Sequence, residues 1–289
     1  MCGLAAPAAL EAPPVADERR LRSIGMRYLY VGPGSGSRRV LVAVHGVARE
    51  WRELLPSFTE RCVAAGAALV IPRFSRCGYR GYQRLEVGRR GLAADQALLR
   101  VLDDVATRTG TPTEDLRLFG YSGGAQFAHR FSLLHPHLVS RQVLAAAGFY
   151  TMPAADAAYP YGLGGGASGN GIDPRGLTTP TRVFVGDLDV VRDAQLRTNR
   201  RLDLQQGAHR LERARRFVVA VRALAASLGT RPECSLEVLR GCGHSFVECD
   251  EAGALARKAA EFLLPDQPLD RTPAPAVPIT EQSRRGGPR

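Results

Sequence analysis

Short apolar runs alternate with amphipathic segments along most of the chain. The runs at 40–44, 67–71, 116–119, 143–147, 181–185 and 236–239 are rich in Val, Leu, Ile and Phe. Such runs are typical of strands buried on both faces, and 26–31 reads as an edge strand. The segments at 50–64, 92–107, 125–134, 210–228 and 253–263 carry apolar residues at helical spacing. This alternation predicts a three-layer α/β fold, with a mostly parallel central sheet and helices on both faces.

Segments of different composition flank this alternating region and interrupt it once. Residues 1–22 are rich in Ala and Pro and then charged, which predicts a flexible N-terminal arm. Residues 265–289 are Pro-rich and poor in aromatics, which predicts a disordered C-terminal tail. Residues 23–264 are therefore expected to form a single domain. Within it, 149–180 is mostly Gly, Pro, Tyr and Ala, which predicts a short Gly-rich lid loop.

The strongest chemical signal lies where the run at 116–119 meets the helical segment at 125–134. Gly120-Tyr121-Ser122-Gly123-Gly124 joins the two directly, so that a strand, a G-x-S-x-G motif and a helix follow one another. Such a turn presents a serine hydroxyl in a strained conformation at the N-terminus of a helix. The motif alone is weak in a chain with 31 glycines. The alternative interpretation is a Gly-rich turn with an idle serine.

Two other strand ends carry the residue types that activate a serine. Asp187, Asp189 and Asp193 follow the run at 181–185, and His244 follows the last run. The C-terminal ends of parallel strands meet at one edge of the sheet, so these residues are expected near Ser122. An imidazole removes the serine proton, and a carboxylate fixes the tautomer of the imidazole. The chain order Ser, Asp, His leaves open which of the three aspartates serves.

The tetrahedral intermediate of such chemistry needs two hydrogen-bond donors for its oxyanion. The backbone N–H of Gly123, directly after the serine, is one candidate. The other is the N–H of Val47, which follows His45-Gly46 at the end of the run at 40–44. His45 itself is expected to shape this loop rather than to act as a base.

The segments VAVHG, GYSGGAQ, VFVGDLD and GCGHSF, at these intervals, resemble the α/β-hydrolase superfamily over residues 26–264. Within it they are similar to bacterial serine esterases, including the polyhydroxyalkanoate-depolymerase-like branch. The resemblance implies Ser122 as nucleophile, His244 as base and acid, Asp189 as the acidic residue, and no metal or organic cofactor. The chain departs from the family pattern in the long arginine-rich segment between Asp189 and His244.

Aromatic residues on two loops are candidates for the substrate pocket. One loop follows the run at 67–71, and the other is the Gly-rich segment. With His45, the pocket candidates are Phe74, Tyr79, Tyr82, Tyr150 and Tyr161.

Charge and cysteine usage change this picture little. The net charge is +11, but the basic residues are nearly all arginine, Lys258 being the only lysine, and they are not interleaved with aromatics as in nucleic-acid modules. We therefore expect no nucleic-acid partner. The six cysteines form no C-x-x-C pair, and no metal site is expected. No apolar run is long enough for a membrane span and no signal peptide is recognisable, so no membrane partner and a cytoplasmic location are expected.

These observations favour a serine hydrolase that cleaves carboxylic esters or thioesters, in small molecules or polymers, through an acyl-enzyme. An acyltransferase with the same three residues is an alternative, because water exclusion alone separates the two. A serine peptidase and a basic non-enzymatic binding protein are further alternatives, and the complete set of three residues argues against the last.

Overall fold

Eight strands form one sheet in the computed structural model, which describes residues 16–32, 37–165 and 174–265. The sheet order is β1-β2-β4-β3-β5-β6-β7-β8. β1 and β2 run antiparallel, β2 is antiparallel to β4, and all other neighbours are parallel. The strands are β1 Asp17–Leu21, β2 Met26–Val31, β3 Arg39–Val44, β4 Ala67–Arg73, β5 Leu116–Tyr121, β6 Val139–Ala145, β7 Thr181–Gly186 and β8 Cys234–Leu239. The predicted mostly parallel sheet is confirmed.

Helices cover both faces of the sheet. They are α1 Leu54–Ala64, α2 Ala94–Thr109, α3 Gly123–Leu134, α4 Arg200–Gln206, α5 Arg210–Ser227, α6 Phe246–Glu251 and α7 Leu255–Leu263. Buried residues of α2, α3 and α5 share one apolar cluster, and those of α1, α6 and α7 share another. No helix of the described residues is long and apolar enough to cross a membrane.

Strand β3 shows how the two cores are separated. Val40, Val42 and Val44 belong to the cluster with α2, α3 and α5, whereas Leu41 and Ala43 belong to the other. Successive side chains of a strand point to opposite faces, so a continuous apolar run fills both cores at once. This position at the centre of the sheet brings the end of β3 beside the end of β5.

The prediction of a flexible arm over residues 1–22 is wrong for the part that the structure describes. Residues 17–21 form β1, which pairs with β2 from Asp17 opposite Tyr30 to Leu21 opposite Met26. The segment Met26–Val31 is therefore an interior strand rather than an edge. The charged residues of β1 hid it in the sequence, because its pairing depends on backbone groups and not on apolar side chains.

The predicted tail and most of the glycine-rich core of the predicted lid fall outside the described residues. Residues 166–173, which hold most of the glycine-rich core, and 266–289 are not described. The described part before this gap runs as irregular chain, in which Tyr150 and Thr151 are fully buried. The lid stays a prediction.

Candidate active site

The turn between β5 and α3 holds Ser122 in a strained conformation. Ser122 has φ 53° and ψ −112°, in the left-handed half of the map that non-glycine residues rarely occupy. Its neighbours two positions away leave no room for side chains. A Cβ on Gly120 would lie 2.2 Å from the Gly124 carbonyl oxygen, and one on Gly124 would lie 2.0 Å from that of Val44. Both glycines are therefore required by the close approach of backbone to backbone.

Ser122 begins a continuous chain of hydrogen bonds through His244 to Asp189. The Nε2 atom of His244 lies 3.1 Å from Ser122 Oγ, and its Nδ1 atom lies 2.8 Å from Asp189 Oδ2. A carboxylate only accepts hydrogen bonds, so Nδ1 donates to Asp189, and with the proton on Nδ1 the Nε2 atom can accept the serine hydroxyl. Asp189 is 2% exposed, and Ser122 is 7% exposed, in a position open to the adjoining cavity.

The structure separates the three candidate aspartates by their contacts. Asp187 accepts a hydrogen bond from the Gly241 N–H at 2.8 Å and so joins the loops after β7 and β8. Asp193 accepts two hydrogen bonds from Arg210 and two from backbone N–H groups of its own loop. Only Asp189, of these three, contacts His244.

A network of hydrogen bonds around His45 stabilises the loop after β3. Nδ1 of His45 donates to the Gly46 carbonyl oxygen at 2.8 Å, and its Nε2 accepts the Phe74 N–H at 3.1 Å. The Tyr82 hydroxyl donates to the His45 carbonyl oxygen at 2.6 Å. Burial lowers the pKa of His45 to about 4, with help from Arg49 and Arg73, so the ring is neutral. His45 is thus a structural residue of this loop.

This network brings the Val47 backbone beside Gly123. A Cβ built on Gly123 would lie 3.4 Å from the Val47 nitrogen, and one on Gly46 would lie 3.5 Å from Ser122 Cβ. The loop after β3 and the first turn of α3 therefore meet next to the serine.

A cavity of about 270 Å³ opens above Ser122 and His244. Two carboxylates, Glu50 and Glu53, lie in its wall, and no lysine or arginine of the described residues does. Neither glutamate forms an ion pair with another described residue. Burial and the nearby Glu50 raise the pKa of Glu53. The lining consists of His45, Gly46, Val47, Ala48, Glu50, Glu53, Leu54, Tyr121, Ser122, Gln195, His244, Ser245, Phe246 and Val247.

Five of the six predicted pocket residues are not in this lining. Phe74 and Tyr82 are fully buried and stack on each other at 4.9 Å, with Tyr79 edge-on to Phe74 at 5.7 Å. Tyr150 stacks on Phe217 at 4.2 Å in the core beneath α5, and Tyr161 packs against Phe149. The prediction was wrong because aromatics on these two loops fill the apolar core next to α3 and α5. Only His45 lines the cavity.

Several lining residues were missed in the sequence although two of them lay next to recognised motifs. Tyr121 immediately precedes the serine, and its ring stacks on His244 at 5.6 Å. Phe246, two residues after His244, packs edge-on against Tyr121 at 5.5 Å. No sequence motif includes Glu50, Glu53 or Gln195. These residues could be assigned to the cavity only once the fold was known.

The two cysteines near His244, Cys242 and Cys249, are buried and contact backbone carbonyl oxygens. Cys249 Sγ points to the Gly243 carbonyl oxygen at 3.6 Å, and Cys242 is fully buried. Within the described part of the chain, the five cysteines are free and no group of three or more His, Cys, Asp or Glu residues is placed to hold a metal ion.

Similarity to known proteins was found in solved structures; no family model and no curated protein matches the chain. A poly(aspartic acid) hydrolase-1 from Sphingomonas sp. KT-1 aligns with a TM-score of 0.72 and 23% identity, over 88% of this chain and 99% of that one. LpqC, a poly(3-hydroxybutyrate) depolymerase from Bordetella parapertussis, aligns with a TM-score of 0.71 and 25% identity, over 90% and 93%. The fluorophosphonate-binding serine hydrolase FphF of Staphylococcus aureus aligns with a TM-score of 0.57 and 13% identity, over 87% and 99%.

These alignments extend over 87–90% of this chain and 93–99% of each neighbour. The sequence motifs, the eight-stranded sheet and the structural neighbours agree with one another. The chain has the α/β-hydrolase fold.

Proposed function

We propose that the protein is a serine hydrolase that cleaves carboxylic esters or thioesters through an acyl-enzyme on Ser122. The observation that carries this proposal is the continuous hydrogen-bonded chain Ser122–His244–Asp189, which ends in the cavity. His244 is the general base and acid, and Asp189 is the acidic residue. The N–H groups of Val47 and Gly123 form the oxyanion hole.

The first half-reaction forms the acyl-enzyme. Ser122 Oγ attacks the carbonyl carbon while its proton passes to His244 Nε2, 3.1 Å away. Asp189 stabilises the imidazolium, and the two N–H donors stabilise the negative oxygen of the tetrahedral intermediate. The intermediate collapses with cleavage of the bond to the alcohol or thiol, which leaves with the proton from His244.

The second half-reaction returns the free enzyme. A water molecule gives a proton to His244 and attacks the acyl carbonyl carbon. The bond to Ser122 Oγ then breaks, the serine regains its proton from His244, and the carboxylic acid leaves. Every proton passes through the same ring nitrogen, so the chemistry needs no further protein acid or base.

Two structural neighbours support a hydrolase with an ester or a polymer as substrate. One is a poly(3-hydroxybutyrate) depolymerase and the other is a poly(aspartic acid) hydrolase. Their alignments cover 90% and 88% of this chain, respectively. The substrate we propose is accordingly a small-molecule or polymeric ester. A substrate whose scissile carbonyl reaches Ser122 in this cavity would have Glu50, Glu53 and Val247 among its neighbours.

A fluorophosphonate probe tests the nucleophile directly, because it phosphonylates an activated serine. We expect the purified chain to be labelled, Ser122→Ala to be unlabelled, and Ser227→Ala, a change in an exposed serine of α5, to be labelled like the wild type. The same three proteins should be assayed with p-nitrophenyl esters of increasing acyl length. Turnover should disappear in Ser122→Ala alone.

Three other results would contradict the proposal. Equal labelling of Ser122→Ala would place the nucleophile elsewhere. A folded wild-type chain that takes no label would refute the activated serine. Labelling at Ser122 with no turnover of any ester, but with acyl transfer to an added alcohol or amine, would identify an acyltransferase.

A further inference from the structure

A buried guanidinium touches the carboxylate that holds His244. Arg210, the first residue of α5, has a side chain 1% exposed, and its Nη1 atom donates to Asp189 Oδ1 at 3.1 Å. The other oxygen of Asp189 accepts the hydrogen bond from His244. The carboxylate is therefore shared, one oxygen facing a cation and the other facing the imidazole.

A second carboxylate balances this cation. Asp193 accepts from Arg210 Nη1 at 2.6 Å and from its Nη2 at 3.1 Å, and these contacts hold the pKa of Asp193 at about 2. One guanidinium and two carboxylates carry a net charge of −1, as an isolated aspartate beside a neutral histidine would. A buried arginine with one carboxylate would instead cancel the charge that His244 needs.

We propose that Arg210 is a positioning residue that fixes the Asp189 carboxylate for His244 and that, together with Asp193, sets the basicity of the imidazole. This inference rests on the proposed function, since it assigns a role to His244. Arg210 lies in the long segment between Asp189 and His244 that departs from the family pattern. The start of α5 thus supports the acidic residue.

The two partners of this ion pair have opposite expected effects on His244. Without the guanidinium, two uncompensated carboxylates favour the imidazolium, so His244 stays protonated to higher pH. Without the Asp193 carboxylate, the guanidinium is paired with Asp189 alone and disfavours the imidazolium. Other titratable groups around His244 stay the same in both variants; they are Tyr121, Cys242, Cys249, Glu248, Asp187, His45, Glu50 and Glu53.

The test is the pH profile of ester turnover in Arg210→Met, Arg210→Lys and Asp193→Asn. For Arg210→Met we expect the acidic limb of kcat/KM to move up by on the order of one pH unit, and for Asp193→Asn to move down. In Arg210→Met kcat should fall about 10- to 100-fold, with KM changed less than about threefold, because orientation and not binding is lost. Arg210→Lys should restore part of kcat, since it keeps the charge but not the fork of donors.

A matched control separates this role from packing. Arg213, one turn further along α5, is also fully buried but binds the Gly148, Arg197 and Gly207 carbonyl oxygens and Asp203 instead of Asp189. Arg213→Met should lose stability and leave the acidic limb in place. If Arg210→Met does not fold, the pH profile of Asp193→Asn still tests the proposal, because Asp193 is partly exposed and its replacement disturbs the core less.

Unshifted acidic limbs in folded Arg210→Met and Asp193→Asn, or a shift of the same sign in both, would overturn the proposal. So would an equal displacement of the limb in Arg213→Met. Ser122-dependent turnover would be intact in each of these cases, which separates failure of this inference from failure of the proposed function. Labelling that persists in Ser122→Ala would instead remove the proposed function itself.

Discussion

Three aspartates lie within seven residues of one another after β7, yet each has a different partner. Asp189 binds His244 and Arg210, Asp187 binds a backbone N–H, and Asp193 binds Arg210 and its own loop. Spacing along the chain could not choose among them. The choice depends on which carboxylate the turn after Gly186 directs towards the end of β8.

Replacement of Asp189 by Asn tests which aspartate supports His244, because it exchanges one carboxylate oxygen for an amide nitrogen. Asp189→Asn should lower kcat by about 10³- to 10⁴-fold, because an amide that donates to Nδ1 imposes the wrong tautomer on His244. Steady-state ester hydrolysis at pH 8 measures the change. Asp187→Asn is the matched control and should retain most of kcat, and equal losses in the two variants would contradict the assignment.

The other residues of the site differ in how far the sequence could disclose them. Ser122 and His244 were predictable because each follows a strand within a short motif whose neighbours are small. Arg210 was not, because a buried arginine is indistinguishable from its exposed neighbours Arg215 and Arg216 until the helix is placed. The aromatic pocket was wrongly predicted for the same reason: Tyr82 and Tyr150 lie on loops, but their rings enter the core.

At the scale of elements, the junction of β5 and α3 depends on backbone contact. Gly124→Ala places a Cβ 2.0 Å from the Val44 carbonyl oxygen, so β3 or α3 must shift. We expect a loss of about 3 kcal/mol or more in the free energy of unfolding, measured by urea denaturation, and a loss of turnover.

The matched control is Gly91→Ala. Gly91 has φ +77° and no heavy atom within 4 Å of its added Cβ, so only the strain of a left-handed alanine remains, about 1 kcal/mol. Losses of the same size in the two variants would mean that close packing at the turn is unimportant.

Helices α2 and α3 are joined by a hydrogen bond to a buried carboxylate that makes stability depend on pH. Asp95, in the first turn of α2, lies 3.0 Å from His135 Nε2 at the end of α3, and its side chain is 6% exposed. Burial alone would raise the pKa of Asp95, but hydrogen bonds from His135 and Gln96 hold it below its usual value. A carboxyl with a lowered pKa stabilises the fold above its unfolded pKa and loses that contribution as pH falls through the folded value.

Asp95→Asn should therefore lower the free energy of unfolding at pH 7 by about 1–3 kcal/mol. The difference from the wild type should shrink as pH falls below about 4, because the carboxyl of the unfolded chain is protonated before that of the folded chain. Urea denaturation at a series of pH values measures both. Asp103→Asn, an exposed position on the same helix, should change little, and a difference for Asp95→Asn that grows in acid would contradict the argument.

At the scale of the whole molecule, the charge of the cavity opposes the charge of the chain. The net charge is +11, yet Glu50 and Glu53 lie in the cavity wall, where the described part of the chain places no arginine. An ester with a cationic acyl group should therefore have a higher kcat/KM at pH 8 than an anionic ester of the same length, by about three- to tenfold at low salt.

Added salt and the double variant Glu50→Gln/Glu53→Gln should both reduce that preference. Glu261→Gln is a control, because Glu261 pairs with Arg257 on α7 and lies away from this cavity. A preference for the anionic ester, or one that the double variant leaves unchanged, would show that the arginines of the surface dominate the field.

The architecture itself was largely predictable, because strands buried on both faces leave continuous apolar runs such as 40–44 and 67–71. Elements that are stabilised by backbone pairing or by helix capping could not be predicted from the apolar pattern. The short helix α6 is capped by Ser245, whose hydroxyl accepts a hydrogen bond from the Glu248 N–H, and it is too brief to show helical periodicity. β1 escaped notice for a related reason, since four of its five residues are charged.

That charged strand has a consequence for solubility. β2 has five of its six residues buried, and β1 occupies the backbone groups along its outer side. An uncovered strand edge is a template on which another chain can add a strand, and charged outer strands are a common protection against it. A chain shortened to begin at residue 22 would expose β2, MRYLYV, and we expect it to form aggregates. We therefore expect residues 17–21 to protect the chain against self-association.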